Sequence, residues 1–316
     1  MKVRRARGWL TALALFLVCP GTGVSSEYLS GETQAREYRL WYRNYDSPPI
    51  RALVALAFDK TPEYGSYRIT RTPEMAQGRV VRELERQQSK LVDLANVATS
   101  KQREESLQAI PIPIDGGLLG LRVCVVLKES LPRFKGIRSL GNLEEVGIRI
   151  GQGAHWPDSS ILQANGVSVV THSRYEILFR MLENHRFECF ARGVNEVLFD
   201  LELENNEDFA IEPDLLLAYP MPSYFFVNRH DHETAHRLQL GMERAIFDGS
   251  FGAYLNQYYG QSIDELNLHS RNVLVLENPY LTDESRAIGT RTLLELRRRI
   301  QILSAPQKTS YSNPES

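Results

Sequence analysis

Cysteine is scarce, no charge of one sign dominates, and no membrane-length apolar run follows the first residues. The chain of 316 residues has three cysteines and a formal charge of −2. That balance argues against a nucleic-acid footprint, because phosphate binding needs clustered positive charge to release counterions. Two enzyme signatures are missing as well. There is no G-x-S-x-G elbow and no phosphate-cradling G-x-x-x-x-G-K-[ST] loop, while the G-x-G at Gly151 and Gly153 lacks its third glycine. Hydrophobic residues at 42% and charged residues at 24% exclude a disordered or collagen-like composition. At about 100–200 residues per domain, such a length favours one large or two medium units.

The N-terminus has a clear layout. Met1 to Arg7 carries four basic residues and no acid, Trp9 to Val18 is apolar, and Pro20, Gly21 and Gly23 follow. A positive start, an apolar stretch too short to span a bilayer and small residues beyond it predict a secretory signal peptide over 1–26, cleaved after Ser26. Cys19 offers lipidation as an alternative, although Phe16-Leu17-Val18 lacks the small residue that lipoprotein processing prefers. A retained N-terminal anchor is a third course. Without residues 1–26 the chain holds 33 basic and 39 acidic residues, about −6, and is expected to be soluble and exported. Cys124 and Cys189 remain, a number that permits one disulfide in an oxidising compartment.

Strand-like and helix-like runs alternate along the rest. Tyr38–Tyr42, Tyr64–Thr70 and Leu91–Ala98 read as strands, with helices opened by Pro48-Pro49 and by Pro73 between them. Such β-α-β order implies a parallel or mixed sheet with helices on both faces. A break at Gln108–Gly120, punctuated by proline and glycine, precedes a fresh series: strands over Leu121–Leu127, Gly147–Gly151, Val167–Thr171 and Phe187–Phe190, with helices near 159–163 and 174–182. Ala218–Ser223 is a second break, before the strand Tyr224–Val227 and helices over 232–247 and 251–258. The chain thus reads as a first lobe (27–115 and 222–290), an inserted second lobe (116–221) and a C-terminal helix with a polar tail (291–316). Two crossings leave a cleft, and ligands of open α/β sheets sit outside the carboxyl ends of the strands.

Three stretches carry a family resemblance. Gly116–Ser130 (GGLLGLRVCVVLKES) resembles a first crossing, Ser223–Arg229 (SYFFVNR) a return strand, and Ala245–Phe251 (AIFDGSF), near Tyr254 and Tyr258-Tyr259, the end of the helix that follows. With the signal peptide, this order over roughly 36–262 resembles the extracytoplasmic solute-binding proteins of ABC importers, in their amino-acid-binding branch, family 3. The resemblance implies the two-lobe type II periplasmic binding fold, a periplasmic monomer without cofactor or metal, and a membrane permease as partner. It implies no enzyme activity. Where such proteins carry Thr-x-x-Arg for the ligand's carboxylate, this chain has Ser100–Ser106 (SKQREES), with Arg103 a loose counterpart; where they place an amine-binding aspartate after the last inserted strand, it has Arg192. From charge alone, an anionic solute, an amino acid or organic acid, is then expected. The resemblance also sets Leu121–Leu127 antiparallel beside Phe187–Phe190, so Cys124 and Cys189 become possible disulfide partners, against a reading as two inert buried thiols.

Strand ends supply the candidate ligand-binding residues. These are Tyr45 and Asp46 after the first strand, Thr99 and Ser100 after the third, His155 and Trp156 in the Gly-rich turn Gly151–Asp158, and Arg192. The turn leads into a helix N-terminus, whose unpaired N–H groups suit a carboxylate or phosphate. Trp156 could stack on the ligand or pack between strand and helix, and Arg192 could meet the ligand or an internal acid. A rival motif is His232–His236, HETAH, the H-E-x-x-H pattern of zinc hydrolases. Its histidines fall opposite the apolar stripe Ala235, Leu238, Met242, Ala245 and Ile246, which favours a solvated face. A binding-fold sensor or accessory protein is the remaining alternative to transport.

Overall fold

The computed structural model describes residues 35–87 and 91–304. The expected signal peptide, Cys19 and the polar tail beyond residue 304 lie outside the described residues. The first segment runs β1 (Arg36–Leu40), α1 (Tyr42–Asp46), α2 (Pro48–Asp59), β2 (Tyr67–Arg71), α3 (Gln77–Glu85), β3 (Leu94–Ala98), α4 (Lys101–Ser106) and β4 (Leu107–Ile110). The second runs β5 (Leu121–Leu127), α5 (Leu140–Val146), β6 (Ile150–Gly153), α6 (Pro157–Ala164), β7 (Val169–His172), α7 (Tyr175–Glu183), β8 (Cys189–Gly193), α8 (Val197–Glu204), β9 (Phe209–Ile211) and β10 (Leu215–Ala218). The chain closes with β11 (Ser223–Asn228), α9 (His232–Phe247), α10 (Ser250–Glu265), β12 (Asn272–Val275) and α11 (Asp283–Ser304). Among the described residues no helix is long and apolar enough to cross a membrane.

Two mixed sheets result, one per lobe. The first has the order β2-β1-β3-β11-β4, in which β11 returns from the second lobe and runs antiparallel to β3 and β4. The second has the order β12-β10-β5-β8-β6-β7, with β9 also beside β5. At its centre β5 is buried along its whole length, which is why LRVCVVL is almost continuously apolar. Local signals explain the helices. Pro48 opens α2 with a missing N–H that a first turn never uses, and the Asp231 side chain accepts the Thr234 N–H at 3.1 Å to cap α9.

Cys124 and Cys189 form a disulfide that closes a separation of 65 residues, with Cα atoms 5.0 Å apart. Because Cys124 lies opposite Ala191 in the β5–β8 register, the bond joins the strands diagonally, two residues off the direct pair. Both cysteines are buried among Ile150, Ile161 and Leu215.

The lobes differ from the sequence reading in three respects. β12 pairs in parallel with β10 in the second sheet, Leu215 opposite Asn272, so the chain crosses between lobes a third time instead of keeping 222–290 in the first lobe. α11 begins at Asp283, ahead of the expected boundary at 291. The residues after β1 turn at once into α1 and those after β3 into α4, where open strand ends were expected.

Candidate functional site

Between the lobes lies a cavity of about 1040 Å³. From the first lobe it is lined by Trp41, Tyr42 and Arg43 at the start of α1, by the turn before α3, and by Tyr258 and Tyr259 of α10. The second lobe contributes Arg122 of β5, the turn from Gly153 to Asp158, Tyr175, and the stretch from Arg192 to Leu203. The lobes also touch each other. The Arg43 guanidinium lies 3.8 Å from the centre of the Tyr175 ring, the Tyr42 hydroxyl donates to Glu176 at 3.4 Å, and Gly78 leaves space that the His155 ring fills.

The second-lobe wall is a network of opposed charges. Arg122 is buried and pairs with Asp158 at 2.8 Å and with Glu196 at 3.5 Å, and Asp158 also accepts from the Tyr219 hydroxyl at 2.6 Å. Arg192, equally buried, pairs with Asp200 at 2.7 Å and Glu196 at 3.1 Å, and Asp200 accepts from the Tyr175 hydroxyl at 2.6 Å. The rings of Trp156, Tyr175 and Phe190 surround the Arg192 guanidinium at 5.0–5.3 Å. Burial opposes the charge on both arginines, yet the facing carboxylates outweigh it and hold both pKa values above the ordinary one. Burial likewise opposes ionisation of Glu196, but Arg192 and Arg122 hold its pKa below the usual carboxylate range. Burial and Asp200 push the Tyr175 hydroxyl well up, so it stays a neutral donor.

Two buried polar atoms on this wall have no partner: Nε of Arg122 and Oδ1 of Asn195. Buried polar groups are rarely left unpaired, and both atoms are shut off from solvent in this conformation. Glu196, more than a third exposed, is beside them. All three surround Gly193, where a Cβ would run into Asn195 Oδ1 and crowd Arg122 and Glu196 at 3.0 and 3.1 Å. The three residues line the cavity, Asn195 with an amide and Glu196 with an ionised carboxylate, while the Arg122 guanidinium is balanced by Asp158 and Glu196.

Behind this wall the first crossing is locked by Asp115. Its carboxylate accepts from the Gly117 and Leu119 N–H groups at 3.0 and 2.9 Å and from the Asn195 side-chain amide at 2.8 Å. Burial lifts the Asp115 carboxyl to about 6, although those backbone donors pull it down. The same contact orients Asn195, leaving its oxygen against Gly193.

The predicted residues divide. His155, Trp156 and Arg192 line the cavity. Trp156 stacks on Phe190 with ring centres 6.2 Å apart, and the His155 carbonyl accepts from Arg103 at 2.9 Å. Arg192 has its carboxylate demand met by Asp200 and Glu196, so the charge argument for an anionic solute loses its basis. The helix end after the Gly-rich turn carries a buried carboxylate of its own, Asp158, in the first turn of α6. Tyr45, Asp46, Thr99 and Ser100 stand outside the lining. The turn of α1 presents residues 41–44 to the cleft and sends Tyr45 under Arg51 and Asp46 to Arg71 at 2.8 Å. Thr99 is buried against Glu104, and Ser100 caps α4. Arg103 donates to the Ala98 carbonyl, Gln77 and His155, and burial lowers its pKa to about 10. Arg122, Asp158, Asn195, Glu196 and Asp200 were missed, because ion pairing between distant residues leaves no local signal.

His232, Glu233 and His236 of HETAH lie on the exposed face of α9, and Thr234 and Ala235 are buried. Glu233 pairs with Arg36 at 2.5 Å and His236 hydrogen-bonds Tyr64. Among the described residues no group of three or more His, Cys, Asp or Glu is placed to hold a metal ion.

No protein-family model matches the chain, and no curated protein is similar to it in sequence. Solved structures are similar in fold. A periplasmic binding protein of Salmonella typhimurium with high arginine specificity is 15% identical, covers 71% of this chain and 100% of its own, and has a TM-score of 0.51. An amino-acid ABC transporter substrate-binding protein of Streptococcus pneumoniae bound to L-arginine is 16% identical over 72% of this chain and 95% of its own, with a TM-score of 0.53. An ancestral amino-acid-binding protein, a precursor of cyclohexadienyl dehydratase, is 12% identical over 71% and 95%, with a TM-score of 0.51. The two mixed sheets, the crossings between them and these neighbours give the chain the two-lobe α/β fold of the type II periplasmic binding proteins.

Proposed function

We propose that this chain is an extracytoplasmic solute-binding protein that encloses a small polar solute, an amino acid by preference, and delivers it to an ABC transporter permease. The observation that carries the reading is the cavity between the lobes with the side chains of Arg122, Asn195 and Glu196 gathered around Gly193. Glu196 and Asn195 suit a ligand's ammonium group, while the Arg122 guanidinium, like that of Arg192, is already paired with two carboxylates. Solved structures of the same fold include amino-acid ABC transporter substrate-binding proteins, one of them bound to L-arginine. The buried disulfide suits export to an oxidising compartment. In this reading the chain is a receptor and not a catalyst, with the segments 112–120 and 218–223 as hinges.

Thermal-shift screening of the chain from residue 27 against amino acids, organic acids and sugars tests it. A ligand bound only by the folded state raises the melting temperature by mass action, so at least one amino acid is expected to do so. A flat response to every amino acid, from protein shown to be folded, overturns the reading.

A further inference from the structure

The cleft is larger than a free amino acid requires. About 1040 Å³ stands at the top of the range of roughly 300–1,000 Å³ found for pockets that hold drug-sized ligands. Its shape follows α8. Glu196, Phe199, Asp200 and Leu203 recur at helical spacing, share one face and all line the cavity. At 1.5 Å per residue that face extends roughly 10 Å from the polar set around Gly193. The far end is apolar and uncovered: Phe199 is 41% and Leu203 67% exposed. From the other lobe α10 lines the same cavity with Tyr258, Gln261, Ser262 and Glu265, again one face of a helix. The result is a slot with charged and amide groups at one end, hydroxyl, amide and carboxylate groups along its length, and Phe199 and Leu203 beside Glu202 at the far end of α8.

We propose, on the footing of the amino-acid reading above, that the solute is a short peptide whose N-terminal ammonium meets Asn195 and Glu196 and whose second, apolar side chain covers Phe199 and Leu203. A free amino acid satisfies the polar end and leaves the apolar end in water. A peptide adds backbone donors and acceptors where Gln261 and Ser262 stand, and its apolar side chain removes from water Phe199 and Leu203, the two exposed large apolar side chains that line the cleft. Its N-terminal end carries an ammonium alone, and Glu196 is the carboxylate that partners it.

Isothermal titration with L-glutamine, L-phenylalanine, Gln-Phe and Gln-Ser, on the wild type and on the double variant Phe199→Ser/Leu203→Ser, tests the proposal. Both replaced side chains are exposed, so the variant keeps the core. Gln-Phe is expected to bind at least about tenfold more tightly than glutamine or Gln-Ser, and the double variant to lose about tenfold for Gln-Phe while glutamine changes less than about twofold. Equal affinity for free amino acids and Gln-Phe overturns the peptide proposal and leaves the amino-acid reading standing. So does a double variant that binds Gln-Phe like the wild type, which would assign Phe199 and Leu203 to a surface used by another partner. Absence of heat with all four probes overturns the peptide proposal, and the thermal-shift screen over all amino acids then decides the amino-acid reading.

Discussion

Breaking the Cys124–Cys189 bond should weaken both the second lobe and the site it carries. The bond spans 65 residues, and in the chain-entropy model closing such a loop is worth about 4 kcal/mol at 25 °C. For a domain of this size the loss corresponds to a melting temperature lower by roughly 10 °C. The effect should reach the ligand site, because Arg122 lies two residues before Cys124 on β5 and Arg192 three residues after Cys189 on β8. Freed from the diagonal tie, the two strands keep their ladder but lose the fixed separation that sets Arg122 against Glu196. Urea denaturation of protein held oxidised or refolded with reductant, followed by titration with a ligand found in the thermal-shift screen, measures both consequences. A stability difference below about 1 kcal/mol, with unchanged affinity, would refute the reasoning.

Other outcomes follow from the cleft. Arg192→Ala leaves Asp200 buried without its ion-pair partner, so unfolding free energy should fall by about 3–5 kcal/mol whether or not ligand is present; a stable variant that loses only affinity would place Arg192 on the ligand instead. Asp158→Ala should cost a similar amount by leaving buried Arg122 only its longer contact to Glu196 and the Tyr219 hydroxyl without its acceptor, read by urea denaturation. The Asp115 carboxyl has its pKa raised from 3.8 to about 6, so the native state holds the proton more tightly than the unfolded chain. Stability from this group is present below about pH 4 and declines by about 3 kcal/mol as pH rises through 6; Asp115→Asn should remove that slope, and parallel wild-type and variant curves between pH 4 and 6.5 would contradict it.

How much of this was legible in the sequence depends on the range of the interaction. Helix α9 was readable to the residue, because Asp231 before a stripe of Ala235, Leu238 and Met242 is a local signal. The buried β5 and the proline- and glycine-punctuated crossings were equally plain. Helix α8 was not: VLFDLELE follows Glu196 without a side-chain cap and alternates in a way that fits a strand as well as a helix. Strand β12 was hidden because four residues carry no mark of their partner β10, which lies more than fifty positions earlier. The ligand wall failed for the same reason. Arg122, Asp158 and Glu196 are brought together by sheet order, and in sequence each is an ordinary surface-type residue. Arg192 was singled out by position, but its neighbours on α8 decide what its charge does.

The most direct test of the central claim, a solute held at the polar set around Gly193, is isothermal titration of the wild type and Gly193→Ala with a ligand identified by thermal shift. A Cβ at this position meets Asn195 Oδ1 and crowds Arg122 and Glu196. The wild type should bind one molecule per chain, and Gly193→Ala, folded and disulfide-bonded, should bind at least about tenfold more weakly, a loss of about 1.4 kcal/mol. Equal affinity in the two proteins would contradict the claim and move the solute elsewhere.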